Sequence, residues 1–108
     1  MTTAPSDLVF IALADGTRRH IVELLSDASY RVNDLAAELE VSRQAVAKHL
    51  DVLAEAGLTQ TTRRGRERLT ALRPGGLQPL KDWLDHYDRF WDERLEALKR
   101  QIEERNDP

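Results

Sequence analysis

A chain of 108 residues is long enough for one domain with a modest core. Its 41% hydrophobic and 32% charged residues exclude a disordered tail, and the lack of cysteine excludes a disulfide framework and a thiolate metal site. The longest apolar run, Leu8 to Ala14, is seven residues, far below a membrane span, and the N-terminus lacks a charged-then-apolar signal layout, so the expected location is cytoplasmic.

The formal net charge of −3 does not announce a nucleic-acid binder, but its distribution does more. Residues 1–41 carry three Arg against seven Asp/Glu, and residues 42–56 balance. Residues 57–73 carry five Arg against the single Glu67, and residues 74–108 carry six Lys/Arg against nine Asp/Glu. One basic stripe in an acidic remainder suits binding of DNA through one face.

In chain order, residues 1–6 are polar and expected to be frayed or disordered. Ser6 or Asp7 can cap a first helix, about Asp7 to Ala14, whose apolar residues Leu8, Val9, Phe10, Ile11 and Leu13 run almost all the way round. Such a helix needs cover on two faces, supplied either by its own core or by a second subunit. Asp15 and Gly16 break the pattern. Thr17 is then expected to cap a second helix, about Arg18 to Ser26, with Ile21, Leu24 and Leu25 inward. A loop at Asp27, Ala28 and Ser29 leads to a brief extended segment at Tyr30 and Arg31.

The chain from Val32 to Gly57 reads as two short helices joined by a tight turn. Leu35, Ala36 and Leu39 form the apolar face of the first, and small Ala36 and Ala37 allow a close crossing. Ser42 is a good N-cap for the second, whose inward face is Val46, Leu50, Leu53 and Ala54. Gly57 ends it. A turn of three residues fits a steep crossing, the helix-turn-helix arrangement in which the second helix can enter a major groove. Its outward face would begin with Gln44, Ala45 and Lys48, flanked by Ser42 and Arg43. Arg and Lys can pair guanine edges, Gln adenine, and Ala45 a thymine methyl, while any of the polar ones can hold phosphates. Gln44 and Lys48 could equally be a plain solvated face. His49 lies nearer the flank, suiting a phosphate contact or a packing role.

After Gly57 the period changes. Leu58 to Thr62 and Glu67 to Leu72 read as two strands around a tip at Arg63-Arg64-Gly65-Arg66, so a β-hairpin follows the helix-turn-helix and makes a winged helix. Arg63, Arg64, Arg66 and Arg68 fall within six residues and can neutralise phosphates, with the tip reaching a minor groove.

Arg73-Pro74-Gly75-Gly76 is a break. From Leu77 to about Arg105 the chain reads as one helix of about 43 Å, with Pro79 tolerated in its first turn. Leu77, Leu80, Leu84, Tyr87, Trp91, Leu95, Leu98 and Ile102 make a near-heptad stripe with one stutter, widened by Trp83 and Phe90. About 70 preceding residues cannot cover it, so a symmetric pair of such helices, packed with the first helix, is the simplest burial. The expected interface is Leu8, Phe10, Ile11, Leu80, Trp83, Leu84, Tyr87, Trp91, Leu95 and Leu98.

Other chemistries find less support. Asp82 and His86 are one helical turn apart and could form half a metal site, but three or four converging ligands are not assured, so no metal is expected. No nucleophile-elbow glycines or Gly-rich phosphate loop occur, so neither catalysis nor a cofactor is expected. The cluster Trp83, Tyr87, Phe90 and Trp91 is either core or the lining of an unknown small-molecule effector pocket at a dimer interface.

The fragments Phe10-Ile11-Ala12-Leu13-Ala14-Asp15, Thr17-Arg18-Arg19-His20-Ile21-Val22-Glu23-Leu24-Leu25, Leu35-Ala36, Val41-Ser42-Arg43-Gln44-Ala45-Val46, Lys48-His49-Leu50 and Leu53-Ala54-Glu55-Ala56-Gly57-Leu58, with the Arg-rich wing, together resemble the bacterial ArsR-type (arsenic-repressor-like) regulators. The resemblance covers residues 7–73; residues 77–105 are similar in character to the terminal dimerisation helix of metal-independent members. It implies a homodimeric repressor on a palindromic operator, paired through its first and last helices. Arg31 and Asn33 stand where metal-sensing members carry a Cys-x-Cys pair, which speaks against metal sensing. Glu40 sits in the turn where helix-turn-helix proteins often use Gly.

The expected fold is therefore mainly α with a small β-hairpin: a winged helix-turn-helix over 7–73 with a long C-terminal dimerisation helix over 77–105. The expected function is sequence-specific regulation of transcription on double-stranded DNA. The alternative is a winged-helix module that contacts protein or RNA without reading DNA sequence.

Overall fold

The computed structural model describes residues 5–105. Five helices and one hairpin follow in order: α1 (Pro5–Leu13), α2 (Gly16–Asp27), α3 (Val32–Leu39), α4 (Arg43–Glu55), β1 (Thr59–Arg64), β2 (Glu67–Leu72) and α5 (Gln78–Arg105). This is the winged helix-turn-helix with a long terminal helix that the sequence predicts. Of the stretch expected to be frayed, residues 1–4 lie outside the described residues, whereas Pro5 and Ser6 already belong to α1. Proline serves at the start of a helix because its missing N–H has no intrahelical partner there.

The core gathers one stripe from each short helix: Val9 and Ala12 of α1, Ile21, Val22 and Leu25 of α2, Leu35 and Ala36 of α3, Val46, Leu50 and Leu53 of α4, closed by Leu58. Leu24, Leu39, Leu72, Leu77 and Leu80 pack around it, half-buried. Ala37 and Ala54, expected inward, are exposed. Ala36 alone supplies the small surface where α3 meets α4, and Leu50, Val46 and Leu53 already fill the inner face of α4.

Local chemistry sets each boundary. α2 is capped by Asp15 rather than by Thr17: the Asp15 carboxylate accepts the Arg18 amide at 3.0 Å, and Gly16 becomes the first helical residue. That amide bond is the leading cause that lowers the Asp15 pKa below its ordinary 3.8. Ser42 caps α4 as expected, accepting the Ala45 amide at 3.1 Å.

α3 and α4 end in the same motif. After α3, the Val41 amide donates to the Ala36 carbonyl (3.2 Å) and the Glu40 amide to the Ala37 carbonyl (3.4 Å). After α4, Leu58 donates to Leu53 (2.9 Å) and Gly57 to Ala54 (3.0 Å). These crossed pairs are Schellman closures and need a left-handed residue at the pivot. Gly57 takes it at φ 77; Glu40 takes it at φ 55, ψ 40, the only non-glycine at positive φ among the described residues.

The hairpin pairs Thr59 with Leu72 through Arg64 with Glu67, so the tip is only Gly65-Arg66. Arg63 and Arg64, expected in the tip, are strand residues, paired with Arg68 and Glu67. The extended segment before α3 is used: Tyr30 and Thr70 exchange both backbone hydrogen bonds, at 2.9 and 2.8 Å, and extend the hairpin by one bridge. Thr70 is buried, with its hydroxyl 3.0 Å from that of Thr61.

Between β2 and α5 the backbone of Gly76 lies against that of Gly57. A Cβ at residue 76 would stand 2.6 Å from the Gly57 carbonyl oxygen. This contact joins the root of α5 to the end of α4. Beyond Leu80 no residue of α5 is buried, and the molecule measures 72 × 35 × 22 Å.

Two substitutions separate these backbone demands. Gly76→Ala is expected to destabilise by about 1–3 kcal/mol, the usual cost of forcing atoms into a filled space. Glu40→Gly is expected to be neutral or stabilising by up to about 1 kcal/mol, because it relieves a left-handed side chain. Thermal unfolding of both variants checks the pair, and a clear drop in melting temperature for Glu40→Gly would contradict the second.

Candidate nucleic-acid interface

An open groove of about 610 Å³ runs between the starts of α3 and α4 and the hairpin. Arg31, just before α3, and Val32 and Asn33 of α3 line it; so do Arg43, Gln44 and Ala47 from α4, and Arg66, Glu67 and Arg68 from the wing. Ser42 and Lys48, also expected at the interface, are exposed, Ser42 just before α4 and Lys48 one residue beyond Ala47. Ala45 is half-buried beneath the Ser42 cap, and the exposed methyl of that turn belongs to Ala47, which the spacing argument missed. Counting 100° per residue from a buried Val46 puts Ala45 and Ala47 at equal angles on opposite flanks, so spacing alone does not choose between them.

His49 does not sit on the outward face. It is half-buried, with Nδ1 3.4 Å from an Nη of Arg18. A guanidinium has no acceptor, so that nitrogen accepts.

Strand alternation sorts the wing. Arg63 and Arg68 stand directly opposite each other on one face, and Arg64 opposes Glu67 on the other. Among the described residues none of Arg43, Lys48, Arg63, Arg64, Arg66 and Arg68 is in an ion pair. Glu67, the one acid in the stripe, is bound elsewhere: Arg31 donates to it at 3.1 Å and to Asp34 at 3.0 Å. The hydrogen bond to Asp34 first, then the charges of Asp34 and Glu67, raise the Arg31 pKa further. The result ties the start of α3 to the wing and leaves the wing arginines uncompensated, an arrangement suited to a polyanion.

On α5, Phe10 meets Trp83 edge-on at 5.5 Å, and Trp83 continues to Tyr87 at 5.0 Å. Leu8 and Phe10 are half-buried and Ile11 is 54% exposed, so α1 has one covered face and one open face. Trp83, Leu84, Tyr87, Trp91, Leu95 and Leu98 are 41–60% exposed along one continuous surface, whereas Leu80 packs on the chain's own core. Asp82 accepts from the Gln78 amide at 2.7 Å and Asp85 from Lys81 at 3.0 Å. Lys81 is held charged more firmly by that hydrogen bond. Among the described residues no cluster of His, Cys, Asp or Glu is arranged to hold a metal ion, and no helix is long and apolar enough to cross a membrane.

Residues 15–61 match the model of the bacterial regulatory proteins of the arsR family. The chain is 43% identical over 101 residues to the HTH-type transcriptional regulator Rv2034 of Mycobacterium tuberculosis, covering 94% of this chain and 92% of that one. The chain belongs to the ArsR family. Its fold matches the solved ArsR-like transcriptional regulator from Rhodococcus sp. RHA1 with a TM-score of 0.73 and 37% identity, over 93% of this chain and 92% of that one. It is also 30% identical over 76 residues to the transcriptional repressor SdpR of Bacillus subtilis, covering 70% of this chain and 84% of SdpR.

As an ArsR-family protein the chain is a DNA-binding transcriptional regulator. Arg31 and Asn33, at the positions that the resemblance associates with metal-sensing cysteines, line the groove instead. Arg31 acts there as a strut between α3 and the wing.

The Arg63–Arg68 pair makes a physical expectation. Like charges directly opposite on neighbouring strands destabilise by up to about 1 kcal/mol. Arg68→Thr is therefore expected to leave the melting temperature of the free protein unchanged or higher at low salt. The gain should fade in high salt, where the repulsion is screened. A lower melting temperature at low salt would show that the two guanidinium groups do not repel.

Proposed function

We propose that the protein acts in the cytoplasm as a homodimeric repressor on a palindromic operator. The carrying observation is the alignment, on one side of the fold, of an exposed α4 start with a wing whose four arginines have no ion-pair partner among the described residues. Arg43, Gln44 and Lys48 would read base edges or hold phosphates at the start of α4, with Ser42 close to the backbone and Ala47 beside a thymine methyl. Arg63, Arg64, Arg66 and Arg68 would neutralise phosphates next to the groove, with Arg66 at the tip nearest a minor groove.

Burial supports a second copy. The exposed stripe of α5 meets Phe10 of α1 at Trp83, Ile11 next to Phe10 in sequence is also exposed, and a two-fold axis would cover both chains' stripes at once. Two α4 helices would then stand about 34 Å apart, one turn of DNA. The name of SdpR, a transcriptional repressor, supports the sign of the regulation.

Selection from random duplexes tests the reading: one palindromic sequence should be enriched. Gln44→Ala or Lys48→Ala should then weaken binding to that sequence more than to random DNA. Arg64→Ala or Arg66→Ala should weaken both and flatten the salt dependence by about one counterion per residue. Wing variants with full affinity and an unchanged salt slope would remove the wing from the interface, and a selection without enrichment would leave a module that does not read sequence.

A further inference from the structure

Arg18 lies on the first turn of α2, and its side chain is only 16% exposed. Its Nε donates to the Ala12 carbonyl at 2.6 Å and one Nη to the Ile11 carbonyl at 3.3 Å. These are among the last carbonyls of α1, where intrahelical partners run out; the Ile11 carbonyl also accepts the Ala14 amide at 3.2 Å. Arg19 adds a third, donating to Leu13 at 2.8 Å. A cation at a helix C-terminus also meets the negative end of its dipole. The remaining Nη of Arg18 reaches Nδ1 of His49 on α4 at 3.4 Å, and Asp15 stands 4.0 Å from the same nitrogen.

One planar guanidinium therefore touches two helices that sequence separates by some 30 residues. On one side is the end of α1, where Ile11 gives its carbonyl to Arg18 and its side chain to the open apolar face. On the other is His49, one residue past Lys48 and one helical turn past Ala45. A fork with fixed donor directions transmits geometry better than a flexible ammonium would.

We infer that Arg18 is a positioning residue, which locks the angle between the dimerisation face of α1 and the DNA-reading helix α4 through His49. The inference rests on the dimer-on-palindrome reading. Within it, the role is narrow: Arg18 and His49 set whether both α4 helices of a pair meet their half-sites together. His49 is then a packing partner of Arg18 and not a phosphate contact.

The test compares the selected palindrome with a duplex holding a single half-site, using fluorescence anisotropy on folded protein. His49→Leu removes the acceptor. It is expected to weaken binding to the palindrome about tenfold, a coupling of the size that contacting side chains show, with little change for the half-site. His49→Asn offers an oxygen near the place of Nδ1 and should restore most of the loss. Arg18→Lys should behave like His49→Leu, and the double variant Arg18→Lys with His49→Leu should be no worse than either alone.

Equal losses on both duplexes would make His49 a direct DNA contact and overturn the inference. So would an unchanged palindrome affinity in His49→Leu, failure of His49→Asn to rescue, or additive losses in the double variant. If Arg18→Lys does not fold, the two His49 variants still decide. A wild-type protein without preference for the palindrome would sink the dimeric reading itself, whereas a wild-type preference retained in His49→Leu sinks only the lock.

Discussion

Two left-handed residues, Glu40 before α4 and Gly57 after it, fix the direction of the second helix of the helix-turn-helix. Each reverses the chain through a pair of crossed backbone hydrogen bonds, so neither flank of α4 depends on long side chains for its geometry. The other parts attach to this frame. Ser42 starts α4 two residues after Glu40, and Leu58 enters the core one residue after Gly57. Gly76 presses its backbone on Gly57, so the long α5 leaves the domain at an angle set by the end of α4. The groove beside the wing and the surface left open on α5 are thus referred to one element.

Charge is arranged on that frame by pairing as much as by composition. The chain is acidic overall, and its one acid in the wing stripe is Glu67. Arg31 binds Glu67 and so removes the nearest neutralising group from the wing while bracing it against α3. Both side chains are about half exposed, so the pair contributes little to stability. Its effect is on orientation and on the local field. The opposed Arg63 and Arg68 point the same way: an arrangement unfavourable in the free protein becomes favourable when a phosphate stands between the two groups.

The sequence made visible what local chemistry decides. Ser42 as a cap, Gly57 as a stop, the left-handed strain at Glu40 and the α5 stripe are each set by a few neighbouring residues. Ambiguity arose where two neighbours were equally competent. Asp15 and Thr17 are both good caps, and only the start of α2 at Gly16 distinguishes them. Arg63 and Arg64 looked like tip residues because alternation is weak in a run of Thr and Arg, and the register that makes them strand residues comes from Thr59–Leu72 pairing. Long-range contacts were not legible at all. Nothing in the pattern joins Arg18 to His49, Arg31 to Glu67 or Tyr30 to Thr70, because each depends on helices meeting through a core built from other residues.

The division of α5 bears on what a single chain can stabilise. Leu77 and Leu80 complete the domain's own core, and Trp83 still reaches Phe10. From Leu84 onward the large apolar side chains are 41–60% exposed, and Leu95, Leu98 and Ile102 are each more than half exposed. Lys81–Asp85 and Gln78–Asp82 support the first turns, but exposed pairs of this kind contribute only tenths of a kcal/mol each. Helices in proteins owe most of their stability to a packed face, and this one offers its face outward. Under the dimeric reading, the far half of α5 is ordered by the same contact that pairs the DNA-reading helices. Weakening that contact would then weaken DNA binding without touching a single residue of the groove.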